Sequence, residues 1–128
     1  MLPKINIGIL IAYHNEKELL TRCLESIRNQ TVLPDEIIIY DDGSDFPARD
    51  YTVADLHIEI IRGEENRGPG FARNSLLEAS KCEYVHSHDA DDFLEPRWCE
   101  KIRDAIERDR PEIIITEIKS IDERGGWC

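Results

Sequence analysis

What this 128-residue chain lacks already narrows its function. It has no basic surplus: 16 Lys and Arg stand against 27 Asp and Glu, for a net charge of −11. A nucleic-acid binder needs a basic face that releases counterions from phosphates, so nucleic acid is excluded as a partner. A phosphorylated ligand remains open, provided a metal or local arginines reverse the sign at its site. Long hydrophobic runs are missing too. The stretch from Ile5 to Ala12 is too short to cross a bilayer, Asn6 interrupts it, and the N-terminus does not read as a signal peptide. Paired cysteines are missing: Cys23, Cys82, Cys99 and Cys128 have no metal-type spacing and read as reduced thiols, which predicts a cytoplasmic location. There are no repeats, low-complexity tracts or linkers. One domain over 1–128 is therefore expected, long enough to bury about two-thirds of its unfolded surface. Nor is there a sign of nucleophilic catalysis. Ser44 and Ser87 lie outside any nucleophile elbow, and the cysteines lack a supporting histidine motif.

What is present alternates. Ile5–Ala12 is a β-branched run suited to a strand buried on both faces. Asn15 with Glu18 resembles a capping box, and Leu19, Leu20, Cys23, Leu24 and Ile27 recur with helical spacing, which predicts a helix over 16–30. Pro34 closes that unit, and Glu36–Tyr40 reads as a second strand followed by an Asp41–Asp45 turn. The segment 46–56 has no clear period and reads as loop or weak helix. His57–Ile61 predicts a third strand, Gly63–Gly70 a glycine-punctuated loop, and Ala72, Leu76 and Ala79 a second helix. Tyr84–His88 predicts a fourth strand. Pro96 suits the first turn of a third helix with Trp98, Ile102, Ala105 and Ile106 as its buried stripe, and Ile113–Ile115 marks a fifth strand. This alternation implies βαβ units and a mostly parallel sheet of about five strands with flanking helices.

In a parallel sheet, the loops after the strands share one edge, where ligands of such folds usually bind. Asp41-Asp42 follows the second strand there, and Asp89, Asp91 and Asp92 follow the fourth. At ~4 Å and an effective dielectric near 20, two carboxylates repel by about 4 kcal/mol, so the cluster favours a hard divalent cation. A solvated acidic turn is the competing reading. Gly68 and Gly70 stand before the second helix, where backbone approaches ligands closely and helix N-termini attract anions. Arg73 in that first turn opposes the helix dipole. It is either answered by an external anion or held in a surface salt bridge.

Five blocks together resemble the family 2 glycosyltransferases, the nucleotide-sugar-dependent group with the GT-A fold. They are Ile9–Glu16, Cys23–Ile27 with Asn29–Thr31, Asp35–Ser44, Asn66–Asn74 and Asp89–Asp92, in the family's order and covering nearly all of the chain. The resemblance implies a Rossmann-like α/β nucleotide-binding half and a nucleotide-diphosphate sugar donor, of uridine type first. It further implies Mn²⁺ or Mg²⁺ as cofactor and inverting transfer to an unidentified acceptor. Carried over by position, Asp42 accepts a hydrogen bond from the base, while Tyr13, beside Ala12, forms an aromatic wall. Gly68 and Arg73 reach the nucleotide. Asp91 lies nearest ribose and metal, Asp92 holds the ion, and Asp89 acts behind them. The chain departs from the family pattern in three places. Ile11 stands where a proline is usual, His14 intrudes before Asn15, and His88 replaces an apolar residue before the acidic motif. That histidine is either a metal ligand or a hydrogen-bonded structural group.

The resemblance also implies an acceptor-binding half with the general base, for which no residue here is a candidate. Ile121–Gly126 resembles the turn leading into that half. Without it, Trp127 and Ile113–Ile118 are expected to be bare, which predicts a homodimer and no transfer by this chain alone. The inner membrane face is a second expected location. A non-catalytic nucleotide- or metal-binding module is the alternative. A flavodoxin-like receiver domain needs an Asp at the end of its central strand and a Lys at the end of the fifth; Thr116-Glu117-Ile118-Lys119 follows the fifth hydrophobic run, and no isolated phosphoacceptor strand end precedes it.

Overall fold

A computed structural model of the chain describes residues 5–116. Four strands form one parallel sheet: β1 (Ile7–Tyr13), β2 (Glu36–Asp42), β3 (Glu59–Gly63) and β4 (Tyr84–Asp89). Helices α1 (Glu18–Arg28), α2 (Pro69–Ala79) and α3 (Trp98–Asp109) follow β1, β3 and β4, and a 3-10 turn spans Ala48–Tyr51. The strand order is β3-β2-β1-β4. The chain therefore steps outward from β1 to β3, then crosses back to add β4 on the other side of β1. That reversal between β1 and β4 is the switch point at which open α/β sheets hold ligands.

Strand alternation divides the core. Ile9, Ile11 and Tyr13 of β1 pack with Leu20, Cys23, Leu24 and Ile27 of α1, while Leu10 packs with Ile38, Tyr40, Ala72 and Leu76 on the α2 side. Ile5 and Ile7 meet Cys99 and Ile106 of α3. Full burial of each large aliphatic side chain contributes about 1.5–3 kcal/mol, so the central strand is fixed from both faces.

Two expectations give way. The capping box does not form: α1 has no side-chain cap, and Asn15 (φ 60°) and Lys17 (φ 54°) take left-handed backbone. Asn15 is engaged elsewhere, donating its N–H to Ser44 Oγ and accepting from Phe46 N through Oδ1. Left-handed backbone at non-glycine residues costs free energy and persists where tertiary contacts over-determine it. The fifth strand is also absent among the described residues. Ile113 and Ile115 are 80% and 92% exposed, and Ile114 packs on the α3 cluster, because none of the described strands pairs with the run. The turn expected at 121–126, Trp127 and Cys128 lie outside the described residues. The 46–56 segment supplies the 3-10 turn, and β3 begins two residues later than its hydrophobic run suggests.

Candidate functional site

β2 ends in two aspartates with different duties. The Asp41 carboxylate is 1% exposed and accepts Ser44 N at 3.1 Å, Ala48 N at 2.8 Å and Arg62 Nη1 at 2.7 Å. Burial pushes its pKa up, but these donors together outweigh burial and hold it below the usual carboxylate value. Asp41 thus clamps the turn. Asp42 reaches the loop before α2: Oδ1 accepts Arg67 N at 2.8 Å and Oδ2 accepts Gly68 N at 2.9 Å. Between them the same loop crosses Gly43 (φ 63°), where a Cβ would lie 2.4 Å from the Glu65 carbonyl carbon. Gly68 (φ 94°) faces open space.

The Tyr13 ring does not face this strand-end rim. Alternation along β1 turns its ring into the core with Ile9 and Ile11, leaving it 1% exposed. Its hydroxyl donates to Phe46 O at 2.7 Å and accepts Lys17 N at 3.2 Å, and burial is the first cause that pushes its pKa up to about 12. Ala12 lies on the opposite face, half-buried beside the α2 cluster. The ring at the mouth is His14, which is exposed. Asn66 Oδ1 accepts Gly68 N, so the Asn66 amide N–H is the group facing His14 Nε2 at 3.2 Å. Nε2 is therefore an acceptor, and Nδ1–H donates to Asp42 O at 2.9 Å. His14 and Asn66 had no role in the motif reading. The period-2 rule would have found His14, since it is the first residue after Tyr13 on the opposite face.

β4 delivers the acidic cluster beside them, with Asp89 in register with Ala12. Carboxylate oxygens of Asp89, Asp91 and Asp92 all lie within 4.8 Å of one another, and all three residues are exposed. Asp89 is thus a full member of the group rather than a group behind it. The Asp92 pKa is raised, first by burial and then by the neighbouring Asp91 charge, with Asp89 adding to it. Three hard oxygen donors crowded at one rim fit a divalent cation such as Mg²⁺ or Mn²⁺. Arg73 approaches Asp89 Oδ1 at 3.5 Å, with both side chains about half exposed. Arg22 of α1 donates to Asp91 O at 3.2 Å and stacks over Phe93. His88 is no metal ligand here. It is 7% exposed, and its two nitrogens face Asp92 O and His86 Nε2, each at 3.1 Å. His86 packs on Trp98 (ring centroids 4.6 Å apart), and burial, then His88, pulls its pKa down to about 4.

The fold and this rim define a GT-A-type α/β protein with a carboxylate cluster, suited to a cation, beside its switch point. The sequence matches the family described as Glycosyl transferase family 2 over residues 8–127. It is 38% identical to EpsH of Bacillus subtilis (strain 168), named as a glycosyltransferase, across 75% of this chain and 29% of that protein. The fold superposes on S. aureus TarS 1-349 in complex with UDP-GlcNAc with a TM-score of 0.74 and 23% identity, covering 83% of this chain and 32% of that one. The mannosyltransferase PcManGT from Pyrobaculum calidifontis, in complex with GDP-Man and Mn²⁺, gives a TM-score of 0.65 and 25% identity over 72% and 29% of the two chains. The chain belongs to glycosyl transferase family 2. It spans less than half the length of the first curated relatives it matches. Among the described residues, no helix is long and apolar enough to cross a membrane.

Proposed function

We propose that residues 1–128 form the donor-binding part of an inverting glycosyltransferase that takes a nucleotide-diphosphate sugar, of uridine type first, with Mn²⁺ or Mg²⁺. One observation carries the reading: the three converging carboxylates share a strand-end rim with Asp42, His14 and Gly68. Asp42, whose oxygens each keep a second lone pair, meets the base N–H, and the His14 ring lies alongside the base in place of Tyr13. Gly68 lets the diphosphate approach the backbone, and Arg73 exchanges Asp89 for a phosphate. Asp91 and Asp92, with Asp89, hold the cation. A divalent ion bound there supplies Lewis-acid neutralisation of the diphosphate as leaving group. The acceptor and the residue that deprotonates it lie beyond this assignment. Three free thiols among the described residues and a nucleotide donor favour a cytoplasmic reaction, at the inner membrane face where the acceptor is lipid-borne.

Calorimetry tests the reading. UDP or GDP should bind with Mn²⁺ and far more weakly with chelator, and Asp92→Asn should remove most of that difference. Equal affinity in both conditions sinks it. The alternative reading is a module that binds nucleotide without transfer. Sugar transfer by the chain in an acceptor screen with Mn²⁺ excludes that module.

A further inference from the structure

We infer that His88 is a positioning residue for the carboxylate cluster and that His86 fixes its tautomer. The inference rests on the metal reading above and adds two residues to it. The donors decide the direction of the chain. The Asp92 carbonyl only accepts, so His88 Nε2, 3.1 Å away, carries the proton. A neutral imidazole then has a bare Nδ1, and His86 Nε2, 3.1 Å from it, is the donor. Two imidazoles thus run head to tail from the Trp98 ring to the backbone of Asp92. With both nitrogens engaged, His88 has no lone pair to offer an ion. What it holds is a peptide group of the turn that Asp92 N closes onto Asp89 O at 3.1 Å. Arg22 holds the adjoining carbonyl, that of Asp91, from α1. Three carboxylates within 4.8 Å repel one another, so their convergence depends on a backbone that does not yield. Groups that orient ligands in this way typically change metal affinity 10–100-fold when removed.

The test is a Mn²⁺ titration of the full chain, with the free ion followed by electron paramagnetic resonance, on wild type, His88→Leu, His88→Gln and Asp92→Asn. Leucine deletes both nitrogens at similar bulk, and glutamine returns an N–H near the Nε2 position. His88→Leu should weaken Mn²⁺ binding by about tenfold or more, and His88→Gln should recover most of the loss. Wild-type affinity in His88→Leu, with Asp92→Asn impaired, overturns the positioning role and leaves the metal reading standing. No Mn²⁺ binding by wild type overturns the metal reading and this inference with it. Long-range ¹H–¹⁵N spectra of the histidine rings need neither metal nor variant. They should show Nε2–H tautomers at both His86 and His88, and an Nδ1–H form at His88 overturns the chain.

Discussion

Asp42→Asn separates the pocket's scaffold from its metal. The wild-type carboxylate accepts two backbone N–H groups, Arg67 at 2.8 Å and Gly68 at 2.9 Å, from a residue 4% exposed. An amide presents one oxygen and one NH₂ in the same space, so one backbone N–H must face another donor. Losing a charge-assisted bond and turning a donor of the loop against another donor each cost about 1–3 kcal/mol, and because the loop is only part-buried both lie at the low end, so the variant should lose about 2–3 kcal/mol of stability. At about 4 °C per kcal/mol for a domain of this size, the melting temperature should fall by about 10 °C. The base N–H would also lose its acceptor, weakening nucleoside diphosphate binding about tenfold or more. Asp42 is not in the cation group, so Mn²⁺ affinity without nucleotide should be unchanged. Urea denaturation with calorimetry measures all three. Unaltered stability and unaltered nucleotide affinity together would refute the assignment of Asp42 to both loop and base.

Acid should unfold the Asp41 turn in a defined sense. Its folded pKa lies below the unfolded value, so its contribution is complete above the usual carboxylate pKa of about 3.9 and is lost as pH falls through the lower folded value. Asp41→Asn should flatten that limb of the stability profile, and an unchanged acid limb would contradict the clamp. Tyr13→Phe should cost about 1–3 kcal/mol in urea unfolding, through its bonds to Phe46 O and Lys17 N, with nucleotide affinity kept. His14→Ala should do the reverse in the same two assays, and the opposite pattern would restore Tyr13 to the base. Bare Ile113 and Ile115 should drive self-association that Ile115→Glu reduces, and sedimentation showing a monomer at every concentration would count against it.

Much of this architecture is written in periodicity. The runs at Ile7–Tyr13 and Glu36–Asp42 are apolar on both faces because both faces are covered, and the leucine spacing of α1 gives its buried stripe. Where local signals misled, tertiary partners had displaced them. Asn15 has capping chemistry, but Ser44 and Phe46, some thirty residues away, take its side chain and backbone instead. The Ile113–Ile115 run has strand composition, yet composition cannot supply the neighbour that would make it a strand. At the site, the motif reading named Asp42 and the acidic cluster, which the fold brings to the same strand-end edge, and it named Tyr13, whose ring the fold buries in the core. The pleat, not the motif, decides which residue faces the pocket. Arg22 was legible only as a polar position on α1, because its partner, the Asp91 carbonyl, is a backbone atom without a sequence signature.

A net charge of −11 does not describe the electrostatics of this rim. All three phenylalanines of the chain stand in or just after the strand-end loops, and each carries a cation on its face. Lys17 lies 3.9 Å from the Phe46 centroid, Arg67 4.0 Å from Phe71 and Arg22 4.9 Å from Phe93. An aromatic face holds a cation in place through its quadrupole without cancelling the charge, whereas a carboxylate partner cancels it. The three cations on these rings therefore keep their field, whereas Arg62 is paired with Asp41 and Arg73 shares its charge with Asp89 at 3.5 Å in an exposed and hence weak pair. Asp41, Asp42, Asp89, Asp91 and Asp92 likewise differ in role. Asp41 is neutralised by Arg62 and Asp42 by backbone donors, which leaves Asp89, Asp91 and Asp92 as the negative focus. In the proposed donor site, a divalent ion at that focus and the ring-held cations around it would give an anionic diphosphate a favourable field on a protein whose overall charge repels it.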